Sequence, residues 1–555
     1  MQTVLETAIA AAVTELFGDH DVRVELMRPE EQFGDYATNV ALQLAKQLGK
    51  NPREVGEALA EKLHTDLTDQ VSEITVAGPG FINLKLSDQA LIQAAETRPA
   101  QSLAGQTIVA EYSDPNPFKV LHAGHLYTSI TGDAIANLLE HAGATVHRVN
   151  FGGDVGLHVA KNLWAILREL GGEQPEKLAN VPEAEHANWL SECYVKGNAA
   201  YEDDETAKAE IVAINKRVYE LHTNTDHDSP FAQIYWTCRG WSYDYFDQFY
   251  ARIGTNFEKY YPESQTAPIG LKTVKEHLGS VYEESDGAVV FNGEKYDLHT
   301  RVFINSQGLP TYEAKDVGLI MAKWADYHFD RSVIITANDI IEYMKVVLKS
   351  IEQFQPELAQ RTTHLTHGIV KLAGGVKMSS RLGNILRAVD VLDAAAAANH
   401  ELTGKDDERT TLGAVKYAFL KNRIGGDIMY NPAESVSLEG NSGPYLQYAH
   451  ARARSILAKA VEPGKITGEL EADERSLLRK IGEYSEVVDK ATAELMPHHI
   501  CTYLYELAQV FNRFYEHNRV IDDPRQAVRL SLAQRYADCL KAGLELLGIT
   551  APDKM

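Results

Sequence analysis

PNPFKVLHAGH, residues 115–125, is the stretch of this 555-residue chain that decides its fold. The apolar run Ile108–Tyr112 precedes it and is typical of a buried strand, and the apolar spacing over 126–141 predicts a helix. Gly143 follows as a helix stop. A strand that leads through a glycine-containing turn into a helix N-terminus favours phosphate binding, because free backbone N–H groups and the helix dipole face the anion.

The turn itself contains the tetrapeptide His122-Ala123-Gly124-His125. Imidazole N–H groups can donate to phosphoryl oxygens as charge develops during displacement at phosphorus. Gly124 leaves room for a flat base or ribose to approach. From the tetrapeptide alone, two histidines at a helix start are equally consistent with ordinary surface or core residues.

A second motif, GGVKMSSRLGN at 374–384, lies about 250 residues downstream. Its glycines predict a loop, and Lys377 on such a loop can neutralise the pyrophosphate that leaves ATP. For the lysine–serine run alone, a basic surface turn is the alternative. The two motifs resemble, in order and separation, the HIGH and KMSKS motifs of class I aminoacyl-tRNA synthetases, which argues against coincidence.

Within that class, the chain resembles the arginyl-tRNA synthetases over essentially its whole length. The segments that carry the resemblance are EYSDPNPFKVLHAGHL, TYEAKD, KMSSRLGN and SGPYLQYAHARARSIL. The resemblance implies a multidomain α/β protein with a Rossmann-like parallel-sheet catalytic domain, an N-terminal α+β domain that contacts the tRNA elbow, and a C-terminal all-α anticodon-binding bundle. It implies an arginine–tRNA ligase that uses ATP with Mg²⁺ to form arginyl-adenylate, with tRNA bound before activation.

The expected domain bounds follow from the patterns along the chain and from this resemblance. They are 1–96 for the N-terminal domain, 107–370 for the catalytic domain with an insertion around 171–297, 371–400 for the KMSKS-type loop and connecting region, and 401–555 for the helical domain. Strand patterns that alternate with helices, among them TVHRVNF, HTRVFIN and SVIIT, predict a parallel sheet. ATP is expected at the carboxyl ends of its strands.

An arginine pocket can also be argued from charge. A guanidinium carries five donors and stays protonated, so its site needs carboxylates and an aromatic face. Tyr312 and Asp316 lie at i and i+4 of a predicted helix, and by resemblance they contact the guanidinium; an ordinary exposed helix face is the alternative. The resemblance also assigns arginine binding to Glu111, Ser113 and Asn116.

Three segments depart from the family pattern near this pocket. GDVGLHVA at 153–160 stands where the family commonly has GDWGTQFG, and residues 305–308 replace a Ser-Asp-Gly. Asp339 begins a segment that replaces a Gln-x-x-His. It either adds a carboxylate to the arginine pocket or caps the helix that follows.

The catalytic candidates are His122, His125, Lys377 and Lys119. Ser380 replaces the second lysine of KMSKS, and we hypothesise that Lys119, three residues before His122, supplies the missing phosphate charge. The resemblance implies that ATP is contacted by Pro115, His122, Gly124, His125, Gly368, Val370, Lys377, Met378 and Ser379.

Aromatic and polar residues at both ends of the chain are candidates for tRNA binding. Phe81 and Asn83 of GPGFIN are candidates for stacking on and reading an exposed base; the alternative is a core Phe81 and a turn-adjacent Asn83. Tyr445 and Tyr448 lie at i and i+3 and could stack on anticodon bases, with bundle core as the alternative. Arg452 is a basic residue on the same predicted helix.

Composition narrows the class of protein. The net charge of −24 argues against nucleic-acid binding by the chain as a whole, although local basic patches can still bind RNA. The four cysteines form no C-x-x-C pair, so no disulfide and no structural zinc are expected. An acidic N-terminus and the lack of a long apolar run predict a cytoplasmic protein without a membrane span, and no coiled-coil pattern is visible, which favours a monomer.

Two rival functions remain open at this level. A small-molecule adenylyltransferase shares the His-x-Gly-His turn, but the N-terminal domain and the C-terminal helical bundle would have no role in that reaction. A non-catalytic tRNA-binding paralogue would not need both histidines and Lys377.

Overall fold

The computed structural model describes residues 1–373, 386–459, 464–466 and 469–555. The order of the elements divides the chain into an N-terminal α+β region, a parallel α/β region and a C-terminal helical region. This architecture confirms the predicted fold class. In the described part of the chain, no helix is long and apolar enough to cross a membrane.

The N-terminal region packs helices against an antiparallel sheet with the strand order β1-β3-β2. Its core side chains, such as Leu5, Leu44, Leu59 and Leu84, are fully buried. The elements are α1 (Gln2–Phe17), β1 (Tyr36–Thr38), α2 (Val40–Leu48), α3 (Pro52–Asp66), β2 (Val71–Ala77), β3 (Phe81–Leu86) and α4 (Asp88–Glu96).

The catalytic region is built on a five-stranded parallel sheet with the order β11-β10-β4-β5-β6. Its strands are β4 (Thr107–Glu111), β5 (Thr145–Gly152), β6 (Lys259–Pro262), β10 (Arg331–Ala337) and β11 (Thr362–His367). The chain passes from β4 to β5 on one side and later adds β10 on the other. A cleft therefore opens at the carboxyl end of β4, where the direction of winding reverses.

Helices cover both faces of this sheet. The helices that contact its strands are α5 (Ala123–His141), α10 (Glu263–Glu276), α11 (Tyr312–Tyr327), α12 (Ile341–Glu352) and α13 (Pro356–Arg361), whereas α6 (Leu157–Leu170), α7 (His186–Asp203), α8 (Glu205–Thr223) and α9 (Pro230–Ile253) pack on one another around a separate core. Ile108, Val109 and Ala110 of β4 are fully buried, as expected for a strand covered on both faces. Gly132 allows helix α5 to pack close to the end of β4. A Cβ at this position would lie only 2.2 Å from the Tyr112 ring.

Two parts of the predicted domain plan are wrong. The sequence predicts an insertion around 171–297, yet β6 at 259–262 hydrogen-bonds to β5 as an outer strand of the parallel sheet. The pattern of HTRVFIN predicts a strand of that sheet, but β9 (Arg301–Ile304) belongs to a separate antiparallel sheet with β7 (Glu283–Ser285) and β8 (Ala288–Phe291). Strand patterns identify strands but not their partners, because pairing is decided by contacts distant in sequence.

The C-terminal region is helical. Its elements are α14 (Ala388–Thr403), α15 (Glu408–Leu420), α16 (Pro432–Ser435), α17 (Gly443–Leu457), α18 (Ala472–Gly482), α19 (Tyr484–Glu494), α20 (His498–His517) and α21 (Gln526–Leu546), and a short parallel pair joins β12 (Val370–Leu372) to β13 (Ile428–Tyr430). The Ser442 hydroxyl caps α17 by accepting the Tyr445 N–H at 3.2 Å. Arg475 joins this region to the N-terminal one through Asp35, at 2.6 Å.

Candidate active site

The His-x-Gly-His turn begins helix α5 and holds both imidazoles in one orientation. The Gly124 N–H donates to Nδ1 of His122 at 3.0 Å, and the His122 N–H donates to Nδ1 of His125 at 3.1 Å. The two rings stack with their centroids 3.7 Å apart. A neutral ring whose Nδ1 accepts a hydrogen bond carries its proton on Nε2. Each histidine therefore presents an Nε2–H donor.

Both imidazoles are kept neutral by their surroundings. Burial, reinforced by the Lys119 ammonium, lowers the pKa of His122 to about 4. Burial and the neighbouring His122 hold the pKa of His125 well below its ordinary value. Both residues are therefore uncharged hydrogen-bond donors at physiological pH.

A cavity of about 610 Å³ lies at the carboxyl end of β4, beside this turn. Its size is in the range of small-molecule sites. It brings together nine of the residues predicted from the sequence, which come from four separate stretches of the chain: Glu111, Ser113, Asn116, His122, Gly124, His125, Tyr312, Asp316 and Asp339.

Asp316 is a carboxylate of this cavity without a counter-ion. Its side chain is on α11, only 8% of the residue is exposed, and it makes no hydrogen bond or ion pair with any residue the structure describes. Burial, with the negative charges of Glu111 and Glu263 nearby, raises its pKa well above the ordinary range. A cationic ligand would relieve this cost. Tyr312, one turn earlier, is 57% exposed and lines the same cavity.

Glu111, predicted to hold substrate, already has a cation. The Lys323 ammonium on α11 donates to the Glu111 carboxylate, and it also donates to Oγ of Ser332 at 3.2 Å. Lys323 was missed by the sequence reasoning. The signal was available, since Lys323 lies seven residues after Asp316 and thus on the same face of the predicted helix.

The connection between β4 and α5 starts with unusual backbone geometry. Ser113 and Asp114 have φ values of 76° and 51°, a left-handed conformation that is costly for residues other than glycine and concentrates at functional sites. The Ser113 hydroxyl hydrogen-bonds with Oη of Tyr250 at 2.7 Å. Asp114, a second residue missed by the sequence reasoning, accepts the Phe151 N–H at 2.8 Å and lines the cavity.

The next two predicted residues differ in their exposure to the cavity. Oδ1 of Asn116 accepts the Gly153 N–H at 2.9 Å, so its amide group remains able to donate to a ligand. Pro115 is buried and is not among the cavity residues, contrary to the expected contact with ATP. Its carbonyl lies against Gly152, where a Cβ would approach within 2.7 Å.

The segment GDVGLHVA, which departs from the family pattern, packs behind the cavity. Nε2 of His158 donates to the Gly153 carbonyl at 2.6 Å, and Nδ1 has no partner in the described residues. Burial lowers the pKa of His158 to about 3, so the ring is neutral. His158 thus supports the turn that positions Asn116.

Lys377, Met378 and Ser379 lie outside the described residues. The segments that flank them contact the histidine turn, since Nε2 of His367 is 3.1 Å from Oγ1 of Thr128 on α5. On the other side, the Ala123 N–H donates to the Leu386 carbonyl at 2.8 Å. The chain therefore enters and leaves the KMSKS-like segment beside His122.

Gly368 and Val370, expected to contact ATP, lie just before this segment. A Cβ on Gly368 would lie 2.3 Å from the Gly426 carbonyl, so the close approach of the two backbones needs glycine there. Val370 is 7% exposed and pairs with Ile428 in the β12–β13 ladder. Neither residue lines the cavity described above.

Two further charged candidates lie around the histidines. The Lys119 ammonium lies 3.9 Å from the centre of the Tyr194 ring on α7, and burial lowers its pKa to about 8. Asp339 is exposed on a short turn, Asn338–Ile340, and lines the cavity. It makes no capping hydrogen bond to α12, so of its two predicted roles the geometry matches the pocket.

The N-terminal candidates for tRNA binding differ in exposure. Phe81 is half-buried at the start of β3. Asn83 lies inside that strand between Ala37 and Thr75 and is 7% exposed. Asn83 is therefore largely shielded from an approaching base in this structure, and its role in tRNA binding stays a prediction.

The C-terminal candidates lie on helix α17. Tyr448 is 48% exposed, whereas Oη of Tyr445 accepts the Asn512 amide at 2.9 Å. The Arg452 guanidinium lies 4.8 Å from the centre of the Tyr515 ring. Tyr448 is therefore the tyrosine of this pair that is free to stack on a base.

No group of three or more His, Cys, Asp or Glu side chains in the described ranges could hold a metal ion. Cys193 and Cys238 are free thiols buried in one hydrophobic cluster, Cys501 is a buried free thiol elsewhere, and Cys539 is half-buried.

Comparisons with known proteins match the whole chain. The family model for the catalytic domain of class I tRNA synthetases (R) matches residues 87–429, the arginyl tRNA synthetase N terminal domain matches 3–86, and the DALR anticodon binding domain matches 446–555. Among curated relatives, the arginine–tRNA ligase of Phocaeicola vulgatus is 27% identical, with 99% of both chains covered. That of Bacteroides fragilis is 28% identical, again over 99% of each chain.

Solved structures give the same match. The arginyl-tRNA synthetase of Thermus thermophilus superposes with a TM-score of 0.82 and 26% identity, covering 100% of both chains. The synthetase from Plasmodium falciparum, at 20% identity and a TM-score of 0.81, covers 100% of this chain and 99% of its own and shares the fold.

Proposed function

The chain belongs to the class I arginyl-tRNA synthetases, and from that premise we propose how its residues divide the work of an arginine–tRNA ligase. The enzyme joins arginine to the 3′ end of its tRNA at the expense of ATP. The observation that carries the substrate assignment is Asp316, which is buried in the cavity and has no cationic partner among the residues that the structure describes. Arginine supplies a side chain that is always protonated and has five donors in a fixed fork.

The histidines are assigned to the first step. A carboxylate oxygen of arginine attacks the α-phosphorus of ATP, a new P–O bond forms, and the bond to pyrophosphate breaks with its electron pair. The Nε2–H groups of His122 and His125 donate to the phosphoryl oxygens as their charge increases. The N-terminus of α5 adds its dipole at the same place.

The cations are assigned to the leaving pyrophosphate. Lys377 and Lys119 would place ammonium groups beside the pyrophosphate, and Mg²⁺ bound with ATP would supply further positive charge there. Support for Lys119 comes from its effect on His122 and from the lack of a carboxylate partner among the described residues. Gly368 and Val370 are proposed to contact the nucleotide, as the resemblance implies.

The remaining assignments concern the tRNA-contacting residues, the oligomeric state and the cellular compartment. We assign residues 1–96 and Phe81 to the tRNA elbow, and Tyr448, Tyr445 and Arg452 in the helical domain of residues 401–555 to the anticodon arm. The protein is proposed to act as a monomer in the cytoplasm. The exposed Tyr448 supports a stacking role, and stacking on an aromatic ring contributes about 1–3 kcal/mol per base.

Arginine-dependent ATP–pyrophosphate exchange, with and without bulk tRNA and beside a lysine control, tests the proposal. We expect exchange with arginine and tRNA together, none with lysine, and loss of exchange in Asp316→Asn. Glu342→Gln, which removes an exposed carboxylate on α12, is the matched control. Exchange at the same rate with and without tRNA, together with a failure to aminoacylate tRNA, would favour the small-molecule adenylyltransferase. No exchange under any condition would favour the non-catalytic tRNA-binding paralogue.

A further inference from the structure

Five carboxylates line the cavity, and the four that are shielded from solvent fall into two classes. Glu111 is paired with Lys323, and Glu263 is paired with Lys315 at 2.6 Å. Asp114 and Asp316 make no ion pair with any residue in the described part of the chain, although both line the same cavity. Asp339, the fifth acid of the cavity, is exposed to solvent. Among the described residues, the wall therefore presents two solvent-shielded carboxylates that lack a cation.

The position of Asp114 is fixed by the protein before any ligand binds. One carboxylate oxygen accepts the Phe151 N–H at 2.8 Å, and the other has no hydrogen bond to the described residues. The backbone is held at a φ of 51°, next to Ser113, whose hydroxyl is tied to Tyr250. A side chain held in this way can bind a ligand without losing much conformational entropy.

The two unpaired carboxylates match the two cations of free arginine. Arginine carries a guanidinium at one end and an α-ammonium at the other, and the ammonium is attached to the carbon that bears the reacting carboxylate. Asp114 lies in the same β4–α5 connection as His122 and His125, whereas Asp316 lies on α11. The group that binds the α-ammonium must lie near the histidines, and this requirement is met by Asp114.

We propose that Asp114 binds the α-ammonium group of the substrate arginine, while Asp316 binds the guanidinium. The proposal rests on the proposed function and adds a residue that decides which of the two cationic groups of arginine faces the histidines. Glu111 is the competing candidate, but its charge is compensated by Lys323. Burial and the nearby Glu111 raise the pKa of Asp114 well above its ordinary value, so a cation beside it would stabilise the ionised form.

The inference is tested by comparing arginine with 5-guanidinopentanoate, which keeps the guanidinium and carboxylate but lacks the α-amino group. Equilibrium binding of both compounds is measured calorimetrically with the wild-type chain, Asp114→Asn, Asp316→Asn and the control Glu342→Gln. Asparagine keeps the oxygen that accepts the Phe151 N–H. We expect Asp114→Asn to raise the Kd for arginine about 10-fold or more, the effect of losing a charge-assisted hydrogen bond. The Kd for 5-guanidinopentanoate should remain nearly unchanged. Asp316→Asn should raise the Kd for both compounds.

An equal loss for both compounds in Asp114→Asn would assign Asp114 a structural role and overturn the proposal, as would no loss for either. If Asp114→Asn does not fold, Asp114→Ser provides the same comparison, provided that its Tm is close to that of the wild-type chain. A wild-type chain that fails to bind arginine would contradict the proposed function itself. Normal arginine binding by the wild type and by Asp114→Asn would contradict only the role of Asp114.

Discussion

Nδ1 of His125 accepts the backbone N–H of His122 at 3.1 Å. This bond fixes the His125 proton on Nε2. His125→Asn removes that donor, and we expect the rate constant of arginine activation to fall by about 10²–10³, the usual effect of losing one donor to a developing oxyanion. Pre-steady-state adenylate formation measures this. His141→Asn, an exposed position at the far end of α5, is the control and should retain the full rate.

The pH dependence should separate the histidines from Asp316. The pKa of His122 is lowered to about 4, so the ring stays neutral from pH 8 down to about 5, and kcat for activation should not titrate with an imidazole in that range. The pKa of Asp316 is raised, so lowering the pH protonates the carboxylate that binds arginine. We expect KM for arginine to rise as the pH falls, with kcat little changed. A kcat that drops near pH 6.5 would contradict neutral donors.

Lys119 should act as a phosphate-binding cation that titrates near pH 8. Because its pKa is lowered to about 8, the ammonium is present below that pH and is lost as the pH rises through it. ATP–pyrophosphate exchange should decline above pH 8 in the wild type and in Lys161→Met. Lys161 also lies over a tyrosine of α7, at 4.2 Å, which makes this variant the matched control.

Substitutions of Lys119 complete the test. Lys119→Met should lower exchange at every pH. Lys119→Arg, whose charge does not titrate in this range, should keep its activity above pH 8. Unchanged exchange in Lys119→Met would exclude a role for this charge.

Lys323 should be needed for stability as well as for the charge balance of the cavity. Its removal in Lys323→Met leaves Glu111 buried and unpaired, which typically costs about 3–5 kcal/mol. Differential scanning calorimetry should show a lower Tm for this variant, and Lys323→Met combined with Glu111→Gln should recover part of the loss. A Tm equal to that of the wild type would show that the Glu111 charge is compensated in another way.

Tyr448 should contribute to tRNA binding without contributing to the bundle. It is 48% exposed, so Tyr448→Ala should leave Tm unchanged and raise KM for tRNA about 5- to 100-fold, the range expected for one stacked base. Tyr445→Phe removes only the hydroxyl that accepts from Asn512 and is the comparison. An unchanged KM for tRNA in Tyr448→Ala would remove this residue from the anticodon surface.

Much of the site could be predicted from the sequence because its parts are local. The strand Ile108–Tyr112, the turn with its two histidines and the helix after it are consecutive, and local hydrogen bonds of the turn orient the rings. Tyr312 and Asp316 share a helix face through their spacing alone. These short-range relations survive in any fold that contains the strand and the helices.

Other features of the site depend on contacts between distant parts of the chain. The Glu111–Lys323 pair joins residues 212 positions apart, so no local pattern shows that Glu111 is compensated and Asp114 is not. The low exposure of Asn83 is set by the packing of the N-terminal region around its sheet, which the strand pattern alone does not show. Likewise, the end of the insertion became visible only through the pairing of β6 with β5.

The sequence by itself determined the family, the order of the domains and the chemical identity of the histidine turn, because these depend on which residues follow one another along the chain. Only the tertiary structure decided which carboxylates of the cavity keep an uncompensated charge. The physical reason is that a charge in a buried site is defined by its neighbours in space: burial penalises the ionised form, and an ammonium such as that of Lys323 offsets the penalty only where the fold brings it into contact.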